Sequence, residues 1–226
     1  MKKRGFYTEV SYILGLLILS IGTAFMTRAD YGVSMVVAPA YLLHLKVSEF
    51  LPFFSFGMAE YMLQAVILIL MMIVIRRAKL SYFFSFITAI IYGFMLDGAL
   101  AVIDIFSLTS APIRLLFYII GFLFCTMGVS LLFHTYISPE AYELFVKEVS
   151  AKFNIDIHKF KTIYDCVSCF VSIAMSFMFF GMWHFEGIKL GTVLCTLVNG
   201  FMIRIWTKLF EKIWVFEDRF PLKKYF

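Results

Sequence analysis

Four ionisable residues stand inside otherwise apolar stretches of this 226-residue chain: Glu60, Asp97, Asp165 and Arg204. A charge in a hydrocarbon interior is costly and by default marks a substrate, ion or proton pathway. Two carboxylates at one level can share a proton or hold a cation, because like charges in a low dielectric raise one another's proton affinity. A carboxylate level with a guanidinium forms an ion pair instead. Which chemistry applies depends on the helices that carry these groups and on their depth.

A helix needs roughly 20 apolar residues to cross about 30 Å of hydrocarbon. Six stretches qualify: Val10 to Thr27, Phe54 to Ile75, Tyr82 to Ile103, Leu115 to Phe133, Thr162 to Trp183 and Leu190 to Trp206. The composition agrees, with 62% hydrophobic, 19% aromatic and 15% charged residues, where soluble domains carry about 25% charged. An all-α polytopic membrane protein is the expectation. Little sequence lies outside the spans, which leaves no room for an ATPase, a kinase or a soluble catalytic domain. The chain shows no nucleophile elbow, phosphate loop or metalloprotease signature, so neither an enzyme nor a cofactor is expected. His44, His134, His158 and His184 lie at or beyond span ends without paired metal spacing. Cys166 and Cys169 form a CxxC inside the fifth span, where they read as two small apolar side chains.

Lys2, Lys3 and Arg4 before an apolar run imitate a secretory signal, but no small-residue cleavage site follows, so the first span reads as uncleaved. With the N-terminus inside, 15 Lys and Arg residues fall on the inner side and only Arg28, Lys46, Arg114 and Lys189 on the outer. This bias places both termini in the cytoplasm. It also accounts for the net charge of +5 through anionic lipid headgroups rather than nucleic acid.

The chain repeats itself. Gly15 and Gly22 return as Gly121 and Gly128, and Tyr92-Gly93-Phe94-Met95-Leu96-Asp97 returns as Asn199-Gly200-Phe201-Met202-Ile203-Arg204. A near-constant offset marks a duplicated unit. Three spans per copy is odd, so the second copy lies upside down relative to the first, the plan of many secondary transporters. The repeats are expected at 1–106 and 107–206, with 207–226 as a cytoplasmic amphipathic tail. Gly15, Gly22, Gly93, Gly121, Gly128 and Gly200 are expected to let helices approach closely.

At 1.5 Å per residue, Glu60 and Asp97 each lie about 9 Å inside the outer boundary, while Asp165 and Arg204 fall within about a turn of the inner one. The expected arrangement is an outer pair of carboxylates, Glu60 and Asp97, and an inner ion pair, Asp165 with Arg204. Tyr92, Gln64 and Asn199 join the first as candidate lining of a substrate or proton site. Each group also has a structural reading: Glu60 bonded to Arg28 or Arg114, Asp97 capping backbone, the neutral residues acting as glue between helices.

Two connecting segments are too ordered for plain loops. Gly32 to Leu45 is apolar and interrupted by Pro39, which suits an interfacial or re-entrant helix. Ser138-Pro139-Glu140 is a helix start, and the residues after it, with Glu143, Lys147 and Glu148 beside Tyr142, Leu144, Phe145 and Val149, read as a cytoplasmic amphipathic helix. Each repeat is thus expected to carry a short interfacial or re-entrant helix after its first span, with a moving gate over a cavity as the alternative for both segments.

The chain resembles the YczE/YitT-like integral membrane proteins of bacteria. The resemblance is carried by Gly15-Leu-Leu-Ile-Leu-Ser-Ile-Gly22 leading into Arg28-Ala29-Asp30-Tyr31-Gly32, and by Gly191-Thr192-Val193-Leu194 leading to Gly200 and Ile203. It implies two three-helix repeats in a bacterial cytoplasmic membrane and assigns no substrate. Ser34-Met35 replaces the family's Gly-Pro turn, and Arg204 its late amide. The expected function is a small-molecule transporter with a site between the repeats, for a substrate with cationic character. Two alternatives stand beside it: a substrate-binding subunit that relies on an energising partner complex, and a non-transporting scaffold or assembly factor.

Overall fold

The computed structural model describes residues 4–105, 110–182, 185 and 187–219; Lys2, Lys3, Trp183, His184, Lys223, Lys224 and Phe226 lie outside the described residues. The order is β1 (Arg4–Tyr7), α1 (Thr8–Ala29), α2 (Ala38–Ser48), α3 (Phe56–Ile75), α4 (Leu80–Ile103), α5 (Ala111–Phe133), α6 (Ala141–Phe153), α7 (Ile157–Phe180), α8 (Leu190–Ile213) and β2 (Trp214–Glu217). Local chemistry sets several ends. Ser55 caps α3 by accepting the Met58 N–H at 3.0 Å, and Asp156 caps α7 by accepting the N–H groups of His158 and Lys159 at 3.1 and 3.0 Å. Such caps satisfy donors that a helix start leaves unpaired.

Among the described residues six helices, α1, α3, α4, α5, α7 and α8, are long and apolar enough to cross a membrane. Large apolar side chains form exposed stripes, such as Met62, Val66, Ile69 and Ile73 on α3 and Ile163, Val167 and Phe170 on α7. Small and polar residues, among them Ser11, Thr23, Ser85, Thr126, Ser130 and Ser172, are buried instead. This is the distribution of a bundle that meets lipid, where close packing rather than hydrophobicity joins helices.

At the centre α1 and α5 run antiparallel, with Gly15 against Gly128 and Gly22 against Gly121. A Cβ on Gly22 would lie 2.7 Å from the Cys125 nitrogen and 2.8 Å from the Gly121 oxygen. Around this pair the main span contacts of one half have counterparts in the other: α1 packs on α4 as α5 on α8, and α3 on α4 as α7 on α8. Gly93 meets Gly57 across α3 and α4, and Gly200 meets Thr162 across α7 and α8. The fold is two inverted three-span repeats, each with a short helix after its first span.

The short helices are re-entrant. The Met35 carbonyl, just before α2, accepts from Ser168 midway along α7 at 2.7 Å, while Lys46 near the end of α2 lies over the ring of Phe180, where α7 ends. In the other half the Ala141 N–H donates to Gln64 midway along α3 at 2.9 Å. Lys152, near the end of α6, donates to the Val74 and Ile75 carbonyls where α3 ends. Each chain segment therefore climbs to mid-depth and returns as a helix to the face it came from. The climbing backbone has no helical partners, and hydroxyls of neighbouring spans supply them: Thr192 and Ser168 donate to Val33 and Met35, Thr88 and Ser85 to Ser138 and Pro139. Non-helical backbone at membrane depth requires such satisfaction.

The expectation of a cytoplasmic surface helix after Glu140 is thus corrected. Tyr142, Glu143, Leu144, Val146 and Val149 are buried between α3 and α7; Glu143 turns inward, while Lys147 and Glu148 stay half-buried and Glu148 pairs with Lys79. Past Trp206 the chain keeps helical form to Ile213, because Lys208, Leu209, Glu211 and Lys212 favour helix and no glycine or proline stops it. Trp214–Glu217 then pairs in parallel with Arg4–Tyr7, so both ends of the described chain lie at one end of the bundle.

Candidate functional site

Where the two repeats meet, the N-terminal ends of both short helices reach one cavity of about 30 Å³, lined by Ser34, Val36 and Val37 ahead of α2, by Glu140 at the cap of α6 and by Tyr142 and Glu143 in its first turn. Thr23, Tyr92, Lys161 and Asn199 complete its polar wall. That is space for about one or two waters, and the lining is polar enough to hold them.

A connected set of buried polar groups surrounds it. Glu60, Gln64, Glu140, Glu143, Lys161 and Asp165 are each exposed by 2% or less. Gln64 is the bridge: its oxygen accepts from the Ala141 N–H, which turns its amide nitrogen toward Glu140 at 3.0 Å and Glu60 at 3.5 Å. The Tyr142 hydroxyl donates to Glu60 at 2.9 Å. On the other side Lys161 lies between Glu143 at 3.4 Å and Asp165 at 3.3 Å, and Asn199 donates to Asp165 at 2.7 Å. The Tyr164 ring centroid lies 5.5 Å from the Lys161 ammonium, within cation–π range.

Four carboxyl groups face one ammonium. Fully ionised, the set would carry four negative charges and one positive, a net of −3 in a site shielded from bulk water. One oxygen each of Glu60, Glu140 and Glu143 has no hydrogen-bond partner, which in a buried setting is costly. The N-terminal ends of α2 and α6 offset part of the negative charge through their dipoles. Protons or a bound cation must supply the rest.

Burial first, and then the neighbouring carboxyls of Glu143 and Glu60, push Glu140 well above the usual carboxylate range. A group whose folded pKa is raised contributes stability that is full below its ordinary value of 4.5 and is lost as pH rises through the folded value. The melting temperature of the detergent-solubilised protein is therefore expected to fall as pH rises above that range. The fall should be smaller in Glu140→Gln; equal slopes in the two proteins would show that this carboxyl does not titrate there.

Five residues singled out by sequence gather here: Glu60, Gln64, Tyr92, Asn199 and Asp165. Two do not. Asp97 accepts the Gly57 N–H at 2.9 Å at the start of α3, and no bond joins it to Glu60; depth put the two at one level, whereas Glu60 turns toward α6. Arg204 is exposed, so the expected pair with Asp165 does not form. Helix α7 starts at Ile157, several residues before the apolar stretch suggested, which carries Asp165 deeper and puts Lys161 one turn before it. The arginines considered as partners of Glu60 leave it alone as well: Arg28 pairs with Asp104, and Arg114 with Asp30 at 2.8 Å.

Lys161, Glu140, Tyr142 and Glu143 were missed as site residues because Lys161 counted as a cytoplasmic charge and the other three sat on a segment read as a surface helix. A signal was present: Lys161 and Asp165 are four apart, and Glu140 and Glu143 three apart, so each pair shares a helix face.

No curated protein and no solved structure matches the chain. The family match bears a different name from the YczE/YitT-like resemblance. From residue 6 to residue 208 the chain matches the model of a family of unknown function, DUF6198, and it belongs to that family.

Proposed function

We propose that this protein is a small-molecule transporter whose substrate carries positive charge and binds in the acidic cavity between the repeats. One observation carries the reading: a buried set of four carboxyls and one ammonium, with partnerless oxygens, around a cavity to which both inverted halves contribute. A scaffold gains nothing from such a set, since a well-packed apolar interior is as stable or more so. Inverted repeats that rock about a central site are a known means of alternating access. The Lys and Arg distribution supports termini on the cytoplasmic side of a bacterial inner membrane. The YczE/YitT-like resemblance, resting on short glycine motifs, points to the same two-repeat plan.

Uptake into proteoliposomes is the test, with rubidium, sodium, methylammonium and choline as labelled probes. At least one is expected to enter faster than into protein-free vesicles. Glu140→Gln and Glu143→Gln should each slow it by about tenfold or more, as loss of one charge-assisted contact implies. Entry no faster than into protein-free vesicles, for every probe, would overturn the reading.

A further inference from the structure

The cavity is too small for a whole organic molecule and well suited to a single cationic group. Lys161 indicates which kind: the site already holds an alkylammonium, between Glu143 and Asp165 and near the face of Tyr164. Next to it Glu140 and Glu143 line the same cavity, and each keeps one oxygen free of partners. A divalent ion such as magnesium gives up its waters reluctantly and keeps several of them, for which about 30 Å³ leaves no space, whereas a singly charged ion sheds them more readily. A second, singly charged occupant fits both the volume and the charge deficit.

We propose that Glu140 and Glu143 bind a monovalent cation of ammonium size, either a bare alkali ion or the head of a primary amine, and release a proton as it enters. This rests on the transporter reading and deepens it to cation/proton exchange. The step balances: a carboxylic acid and a cation give a carboxylate–cation pair and one free proton, with no change of oxidation state. Lys161 stays in place as the tethered cation, whose charge favours the ionised form of Glu140 and so the release of its proton, while the nearby Glu60 and Glu143 carboxyls favour the proton's return when the site empties.

Groups facing Glu140 from every side bear on this exchange. They are Glu143 and Tyr142 on α6, which Glu140 caps, Glu60 on α3 and Lys161 on α7, with Tyr12 on α1, Tyr92 on α4 and Cys125 on α5. Only Lys161 is cationic. An incoming positive charge therefore favours ionisation at Glu140 with little opposition.

The experiment uses the full chain in detergent, in weak buffer near neutral pH with an indicator dye. Potassium, sodium or methylammonium chloride is added, with N-methylglucamine chloride at equal ionic strength as a cation too bulky for the cavity. The expected result is a saturable release of about one proton per chain for at least one small cation and none for the bulky one. The alkali and methylammonium arms separate the two kinds of ligand. Release should vanish in Glu140→Gln, weaken in Glu143→Gln and persist in Glu49→Gln, whose side chain is exposed and paired with Lys46. No saturable release, or release unchanged in both cavity variants, would overturn the proposal. Release without flux in vesicles would remove the transport reading and keep the exchange site; flux without release would do the opposite.

Discussion

Replacement of Lys161 by methionine is expected to destabilise the protein by about 3–5 kcal/mol near neutral pH, the usual cost of removing one partner from a buried ion pair. Methionine preserves most of the side-chain volume, so the loss would come from charge rather than from a cavity. Glu143 and Asp165, at 3.4 and 3.3 Å from the ammonium, would then face each other's negative charge and that of Glu60 and Glu140 with no cation nearby. Two measurements check the cause. A second change, Glu143→Gln or Asp165→Asn, should restore part of the melting temperature, since it removes one of the stranded charges. Lower pH should help the single variant more than the wild type, because protonating the carboxyls replaces the missing positive charge. A Lys161→Met protein as stable as wild type at every pH would mean that the lysine is not charged in the fold.

How much of this was legible beforehand can be seen residue by residue. The six spans follow from length and hydropathy, and the inverted plan from the glycine offset, because both are properties of sequence taken alone. Glu60, Gln64, Asp165, Tyr92 and Asn199 were found because a polar group in a hydrocarbon span stands out. Glu140 and Glu143 were not, because depth along a straight span was the only ruler in use. A re-entrant segment breaks that ruler: it carries residues that look peripheral in sequence to the level of Gln64, the middle of α3. Lys161 failed for a related reason. A lysine near the end of an apolar stretch reads as topology, and only the extra turns at the start of α7 put it inside.

The inversion also explains why one half carries the charge. By the repeat offset Glu140 corresponds to Ser34 and Glu143 to Val37, and all four line the same cavity. Both half-helices bring their positive ends to the cavity, but only the second carries carboxyls there. The frame is symmetric while the site is not, with an acidic wall on one side and an uncharged one on the other. Under the transporter proposal, rocking about such a site would present a different wall to each side of the membrane, which a strictly symmetric pair would not.

That frame depends on the close approach of α1 and α5, so Gly22→Leu is the second substitution expected to have a large effect. Even the first added carbon would lie 2.7 Å from the Cys125 nitrogen and 2.8 Å from the Gly121 oxygen, both backbone atoms that cannot step aside. Overpacking of this kind costs about 1–3 kcal/mol where neighbours can adjust, and here the neighbours are helix backbone, so the upper end is expected. Gly128→Leu, its counterpart in the other repeat, should cost a similar amount, since a Cβ there meets the Gly15 oxygen at 2.8 Å. Gly98 provides the contrast. Nothing lies within 4 Å of a Cβ placed there, so Gly98→Ala should leave stability unchanged or raise it by about 0.8–1.0 kcal/mol through helix propensity. Thermal melts of the three variants in one detergent decide the matter: if Gly22→Leu and Gly98→Ala behave alike, the glycine contact between the central helices is not what holds the two halves together.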